Sequence, residues 1–287
     1  MRGGTGERGG LGMSVLVVSG TGTEIGKTVT TAAVAAVALA AGRSVAVLKP
    51  AQTGVGPGDP GDVDEVLRLA GDRVTPVELA RFPEPLAPST AARRAGLPTV
   101  SPAQVAEAAE KLAAAHDLVL IEGAGGLLVR FDEEGTTLAD AARLLAAPVL
   151  IVATAGLGTL NMSTLTTEAL RARGLTPEGI VIGSWPTTPD LASRCNLAEL
   201  ADAAGAPLLG AIPEGAGSLP APEFRAAAGG WLGPGLGGSW AGPGRCPRGS
   251  PGAGSGPSHR GRVRPTGVGV VPPGWGSFHR ARSRRTV

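Results

Sequence analysis

Val15–Thr28, VLVVSGTGTEIGKT, is the stretch on which the fold turns. A run of Val and Leu bounded by glycine reads as a strand buried on both faces, and Gly26-Lys27-Thr28 reads as the opening of a helix. The order is strand, glycine-rich loop, helix. In that order the loop's N–H groups and the positive end of the helix converge on one point and suit phosphate oxygens. Lys27 is placed to reach terminal phosphates, and the Thr28 hydroxyl to hold Mg²⁺. The spelling is not the commonest one, because five residues separate Gly20 from Gly26 and Thr21 stands where the usual first glycine would be. A plain glycine-rich turn accounts for the glycines, but not for strand, loop, Gly-Lys-Thr and helix occurring together.

Outward from this stretch, Val29–Ala41 is an Ala-rich helix stopped by Gly42. Ser44–Leu48 is a second strand, which delivers Lys49-Pro50-Ala51-Gln52-Thr53-Gly54 into a loop. A lone Lys at a strand end is ordinarily solvated; beside a phosphate loop it lies in the crevice where open α/β sheets bind ligands. A Gly/Pro/Asp stretch then reaches Asp62, where acidic residues begin a helix with Val66, Leu67 and Leu69 as its apolar positions. Carboxylates there complement the helix dipole, and they are equally suited to a hard cation.

Arg81–Pro88 is a proline-laden connection, and Pro88 or Ser89 begins a short helix to Gly96. Ser101–Ala115 is a helix with Ser101 as cap and Pro102 in its first turn, with His116 at its end in a structural place. Leu118–Ile121 is a strand that ends in Glu122-Gly123-Ala124-Gly125-Gly126. As a bare turn this is unremarkable; behind a phosphate loop, an acid at a strand tip is placed to hold Mg²⁺, directly or through water. Helix 137–146, strand 148–153, a helix from Gly156–Asn161 to Arg173, strand 179–182, helix 191–203 and strand 207–212 follow. Alternation of short apolar strands with helices predicts an α/β domain with a doubly wound, mostly parallel sheet, spanning about 13–240.

The ends differ in composition. Residues 1–12 have no apolar period, and Met13 stands just before the first strand, so the leader is expected to be disordered or a mis-assigned extension. The segment 241–287 is Gly, Pro, Ser and Arg, with nine Arg and no Asp, Glu or Lys. Such a segment buries too little apolar surface to order itself. Without those nine, 17 basic residues face 24 acidic ones, so the remainder of the chain is acidic at about −7 and the basic balance belongs to the tail. A nucleic-acid-binding arm is one reading of the tail. Its lack of aromatic spacing or period favours the other, a non-native end from read-through or a shifted frame, and no nucleic-acid partner is expected. Cys195 and Cys246 make neither a disulfide framework nor metal spacing, which fits a reducing cytoplasm. No apolar run approaches about 18 residues, so no membrane span is expected.

GTGTEIGKT, KPAQTG, the acidic helix start, VLIEGAGG, GLGTLN, IVIGSWP and LLGAIPEG together resemble the dethiobiotin synthetase family. The resemblance runs from Met13 to about Trp240, and the long phosphate loop is that family's own form. It implies a single-domain fold of the P-loop NTPase type and an ATP-dependent ligase. In this reaction 7,8-diaminononanoate takes up CO₂ or bicarbonate as a carbamate, which ATP activates for ring closure to dethiobiotin. By the same resemblance Glu24, Ile25, Gly26, Lys27, Thr28 and Val29 bind the triphosphate, and Lys27 and Lys49 act on the reacting groups. Thr53 contacts the diamine, and Thr28, Asp62 and Glu122 hold Mg²⁺. Asp64 is close enough to replace Asp62, though the spacing to Val66 favours Asp62. Glu122, Gly123, Ala124 and Gly125 border the nucleotide, while Gly183, Ser184, Pro213, Glu214 and Gly215 hold the adenine.

Where some relatives have Asn-Asp this chain has Gly183-Ser184-Trp185, so backbone groups are expected to read the base, and ATP and CTP both remain open. Gly156–Asn161 offers helix N–H groups to the substrate carboxylate of a neighbouring subunit, implying a homodimer. A partitioning-type ATPase is the competing reading, but it carries a second Lys inside the loop, and Thr21–Ile25 has none. A cobyrinate-type amide ligase would add a glutaminase domain for which the chain has no space.

Overall fold

The computed structural model describes residues 14–242. The leader, Met13 and all but the first two residues of the tail lie outside the described residues, as do the expectations for them. Fifteen principal elements alternate along the chain. They are β1 (Val15–Gly20), α1 (Lys27–Ala40), β2 (Val45–Thr53), α2 (Asp62–Ala70), β3 (Val74–Phe82), α3 (Pro88–Ala95), α4 (Pro102–Ala113) and β4 (Leu118–Glu122), then α5 (Leu138–Leu144), β5 (Val149–Ala153), α6 (Thr159–Arg171), β6 (Pro177–Trp185), α7 (Leu191–Ala204), β7 (Leu208–Pro213) and α8 (Ala221–Trp231). The strands make one seven-stranded sheet in the order β3-β2-β4-β1-β5-β6-β7, and every pairing is parallel.

Parallel strands need crossover helices, which cover both faces of the sheet and make the strands apolar throughout. Leu16, Val17 and Val18 are accordingly all buried. Leu16, Leu120, Leu150, Val181 and Ile212 pack toward α1, α2 and α8, while Val17, Ile121, Ile151 and Ile182 pack toward the helices of the other face. Ten consecutive residues of α1, Thr30–Leu39, are buried. Small alanines let this helix lie close on the sheet while other helices cover its outer side.

The structure departs from the expectations in four places. β2 does not end at Leu48 but runs to Thr53, so Lys49–Thr53 is strand rather than loop, extended by pairing with β3 as far as Thr53↔Phe82. β3 itself was not foreseen: VTPVELARF carries Pro76, Glu78 and Arg81, and it forms because it is an edge strand with β2 on one side only, where proline and charge are tolerated. Its last two residues belong to what was read as a connection. α8 was likewise unforeseen; it buries Phe224 and Ala228 against α1 and α2, and its Trp231 meets Phe224 edge-on at 5.2 Å. β6 is also longer than expected, running from Pro177 to Trp185.

From β1 the chain winds outward through β2 to β3, returns to β4 between β2 and β1, and then crosses β1 to continue outward through β5, β6 and β7. The C-terminal ends of β1, β2 and β4 therefore open together at a point where the winding reverses, the place where such sheets take ligands.

Candidate active site

The loop after β1 is built to face an anion. Thr21 N–H donates to Val152 O at 2.9 Å, tying the loop to β5. Ile25 turns inward onto Val18 and Val152, and this is how the unusually long spacing is absorbed. Its side chain leaves no room at Gly20, where a Cβ would sit 2.6 Å from Ile25 Cδ1. Gly26 has φ +89°, and a Cβ there would meet Gly183 O at 2.2 Å, so β6 backs directly against the loop. The N-terminus of α1 has no side-chain cap and no acidic residue in its first turn. Its N–H groups and dipole are left for an external negative group.

Above the loop lies a cavity of about 810 Å³. Glu24–Val29, Lys49, Thr53, Asp62, Glu122 and Gly123–Gly125 all line it. Lys49 Nζ is the hub: it lies 3.0 Å from Glu122 Oε1 and 3.2 Å from Gly123 O, and it is ion-paired with Asp62 Oδ2. Lys49 is 3% and Glu122 1% exposed, so this pair is out of water. Burial pulls the Lys49 ammonium toward the neutral form, but Glu122 and Asp62 outweigh it and hold Lys49 above the ordinary lysine range. Lys27 is buried too, its Nζ donating to Gly22 O at 2.8 Å. Burial first, and then the charge of Lys49, push Lys27 below that range. Two ammonium groups, one of them paired with carboxylates, thus lie beside an uncapped helix start, an arrangement that suits a polyanion.

Thr28 Oγ1 donates to Glu122 Oε1 at 2.8 Å, which brings a hydroxyl and two carboxylates together around Lys49. This oxygen-only set fits Mg²⁺, a cation that takes one or two carboxylates and fills its other positions with water and phosphate. Asp64 has a different task. Its Oδ2 accepts from Gly61 N–H at 2.7 Å, capping α2, and it lies 3.9 Å from Arg81.

The expected adenine residues do not line this cavity. Gly183 is buried behind the phosphate loop, Ser184 is exposed, and Glu214 N–H donates to Trp185 O at 2.7 Å where β6 and β7 end side by side. Sequence reasoning also missed several residues that shape the cavity or its walls. Thr23 lines it, as do Val55, Leu86 and Val129, which give it an apolar side. Gln52 is buried and its Oε1 accepts from Asp62 N–H at 2.9 Å. Thr31 reaches Glu122 from α1. Helical spacing puts Thr31 on the face of Lys27, four residues earlier, but nothing in the sequence pairs it with Glu122, and no signal existed for Leu86 or Val129.

A family model described as an AAA domain matches residues 14–219. The chain is 72% identical over 228 residues to a protein of Streptomyces avermitilis named ATP-dependent dethiobiotin synthetase BioD, covering 79% of this chain and 95% of that one. Proteins of the same name from Streptomyces coelicolor, 68% identical over 79% of this chain and 95% of theirs, and Rhodococcus jostii, 59% identical over 77% and 95%, match as well. Among solved structures a ParA family ATPase from Chlorobium tepidum aligns over 78% of this chain and 90% of that one with a TM-score of 0.49 at 13% identity, too distant a likeness to bear on function.

Proposed function

We propose that this chain, which belongs to the ATP-dependent dethiobiotin synthetase family, closes the ureido ring of dethiobiotin in biotin synthesis through the cavity over its phosphate loop. One amine of 7,8-diaminononanoate adds to CO₂, losing a proton and forming an N–C bond. A carbamate oxygen attacks the γ-phosphorus of ATP and ADP leaves. The second amine attacks the carbamoyl carbon and loses a proton, the C–O bond breaks so that inorganic phosphate leaves with that oxygen, and the new C–N bond closes the ring.

The observation that carries this reading is Lys49, a buried ammonium held between two carboxylates where β2 and β4 open onto the phosphate loop. Lys49 is charged at neutral pH because its partners hold it so. It is therefore a fixed positive charge beside the carbamate oxygens and the charge that develops as the phosphoryl group moves, an effect strongest where water is excluded. Lys27 and the open N–H groups of Gly26–Val29 bind the triphosphate, with Glu24 and Ile25 shaping the turn. Thr28, Asp62 and Glu122 would hold the Mg²⁺ that accompanies ATP, which neutralises phosphate charge and orients the transferring group. Thr53 faces the diamine, whose alkyl chain suits the apolar wall of Val55, Leu86 and Val129. Gly123–Gly125 border the nucleotide, and Gly183, Ser184 and Pro213–Gly215 hold its base chiefly through backbone groups.

The enzyme is further read as a cytoplasmic homodimer. The N-terminus of α6 is uncapped by any side chain and free of acids, like that of α1, and suits the substrate carboxylate from a second copy. Beside it Leu157 is 92% and Leu165 51% exposed, apolar surface of the kind a dimer covers. Among the described residues no helix is long and apolar enough to cross a membrane.

Phosphate release with Mg·ATP and bicarbonate, with and without 7,8-diaminononanoate, tests the assignment. Release is expected to require the diamine and to collapse in Lys49→Ala. Release that ignores the diamine would point instead to an ATPase switch.

A further inference from the structure

Thr31 belongs to no part of the phosphate-loop motif, yet it reaches the centre of the site. It lies one turn beyond Lys27 on α1 and is fully buried. Its Oγ1 stands 2.7 Å from Glu122 Oε2 and 3.0 Å from the carbonyl oxygen of Lys27. A hydroxyl has one proton to donate. Bonding back to the carbonyl four residues earlier is the ordinary habit of threonine in a helix, and alone it would mean nothing. The carboxylate, however, is both the nearer acceptor and the stronger one.

The two oxygens of Glu122 thus have different partners. Oε1 accepts from Thr28 Oγ1 at 2.8 Å and from Lys49 Nζ at 3.0 Å; Oε2 accepts from Thr31. The last torsion of a glutamate is soft, and bonds to one oxygen alone leave its plane free to turn. A bond to the other oxygen from a rigid helix removes that freedom.

We infer that Thr31 is a positioning residue: its hydroxyl fixes the plane of the Glu122 carboxylate, the group that would hold the divalent cation entering with the nucleotide. This rests on the metal role given above to Glu122, and the test separates the two.

Calorimetric titration with β,γ-methylene-ATP, once with Mg²⁺ and once with EDTA, isolates the contribution of the metal. The parent protein is expected to bind the Mg²⁺ form more tightly. Thr31→Val keeps the shape and loses the hydroxyl; it should weaken binding of the Mg²⁺ form about tenfold, the cost typical of losing a partner behind a metal ligand, and leave metal-free binding within about twofold. Thr31→Ser should restore the parent behaviour. Thr31→Ala, at home in an Ala-rich helix, is measured alongside in case the valine variant does not fold. The inference is overturned if the folded variants bind the Mg²⁺ form like the parent, or lose both forms equally. A parent that gains nothing from Mg²⁺ overturns the metal role of Glu122, and the inference with it.

Discussion

Lys49 shows how far one side chain can be from its usual place and still be stable. Desolvating an ammonium costs several kcal/mol, and only close carboxylates offset it. Removing the cation leaves Glu122 buried and uncompensated. Lys49→Met is therefore expected to cost about 3 kcal/mol, the low end for a broken buried pair, because Asp62 is partly open to water and its share is screened. Adding Glu122→Gln should recover much of that stability and none of the activity, which denaturant melts and phosphate release measure separately. The pH dependence has a definite sign. Lys49 is held above its ordinary value of 10.5 in the fold, so its ion pairs stabilise fully below that pH and are lost as pH rises through the higher folded value. The stability gap between the parent and Lys49→Met should then narrow only in strongly alkaline solution. A gap that closed near neutrality would contradict the geometry.

Elements hold these residues by their ends. The N-terminus of α2 is the clearest case, because Gln52 Oε1 receives Asp62 N–H while Asp64 Oδ2 receives Gly61 N–H, so one acid is aimed at Lys49 and its neighbour is spent on the cap. Asp62→Asn is accordingly expected to lower kcat by at least about tenfold, the scale for weakening an electrostatic contact in the transition state, with a small change in melting temperature. Asp64→Asn is expected to do the reverse, costing up to about 1 kcal/mol of stability as a cap and little activity. If Asp64→Asn were the inactive one, the two roles would have to be exchanged. The phosphate loop depends in the same way on another element: Gly183 of β6 touches Ile25 O so closely that a Cβ there would lie 2.1 Å from it. That glycine was read as an adenine contact, and it is equally a spacer for the loop.

Across the whole molecule, the packing continues to Trp240, whose N–H donates to Leu232 O at 2.8 Å, just as Ser239 N–H donates to Gly229 O. A chain trimmed to Met13–Ala241 is expected to sediment as a dimer with the diamine-dependent activity of the full chain, and Leu165→Asp in it to become monomeric with a raised KM for the diamine. Equal KM in monomer and dimer would remove the substrate carboxylate from the interface. The phosphate loop, the acid-tipped β4, Lys49 and the alternating strands were legible in the chain because each is a local pattern, set by a few neighbouring residues and the backbone geometry they prefer. β3 was hidden because its proline and charges argue against a strand until β2 lies beside it. The division of labour between Asp62 and Asp64, and the reach of Thr31 to a carboxylate 91 positions away, were invisible for a different reason. They depend on which side chains meet across a buried cavity, and those distances exist only once the sheet has brought its strand ends together.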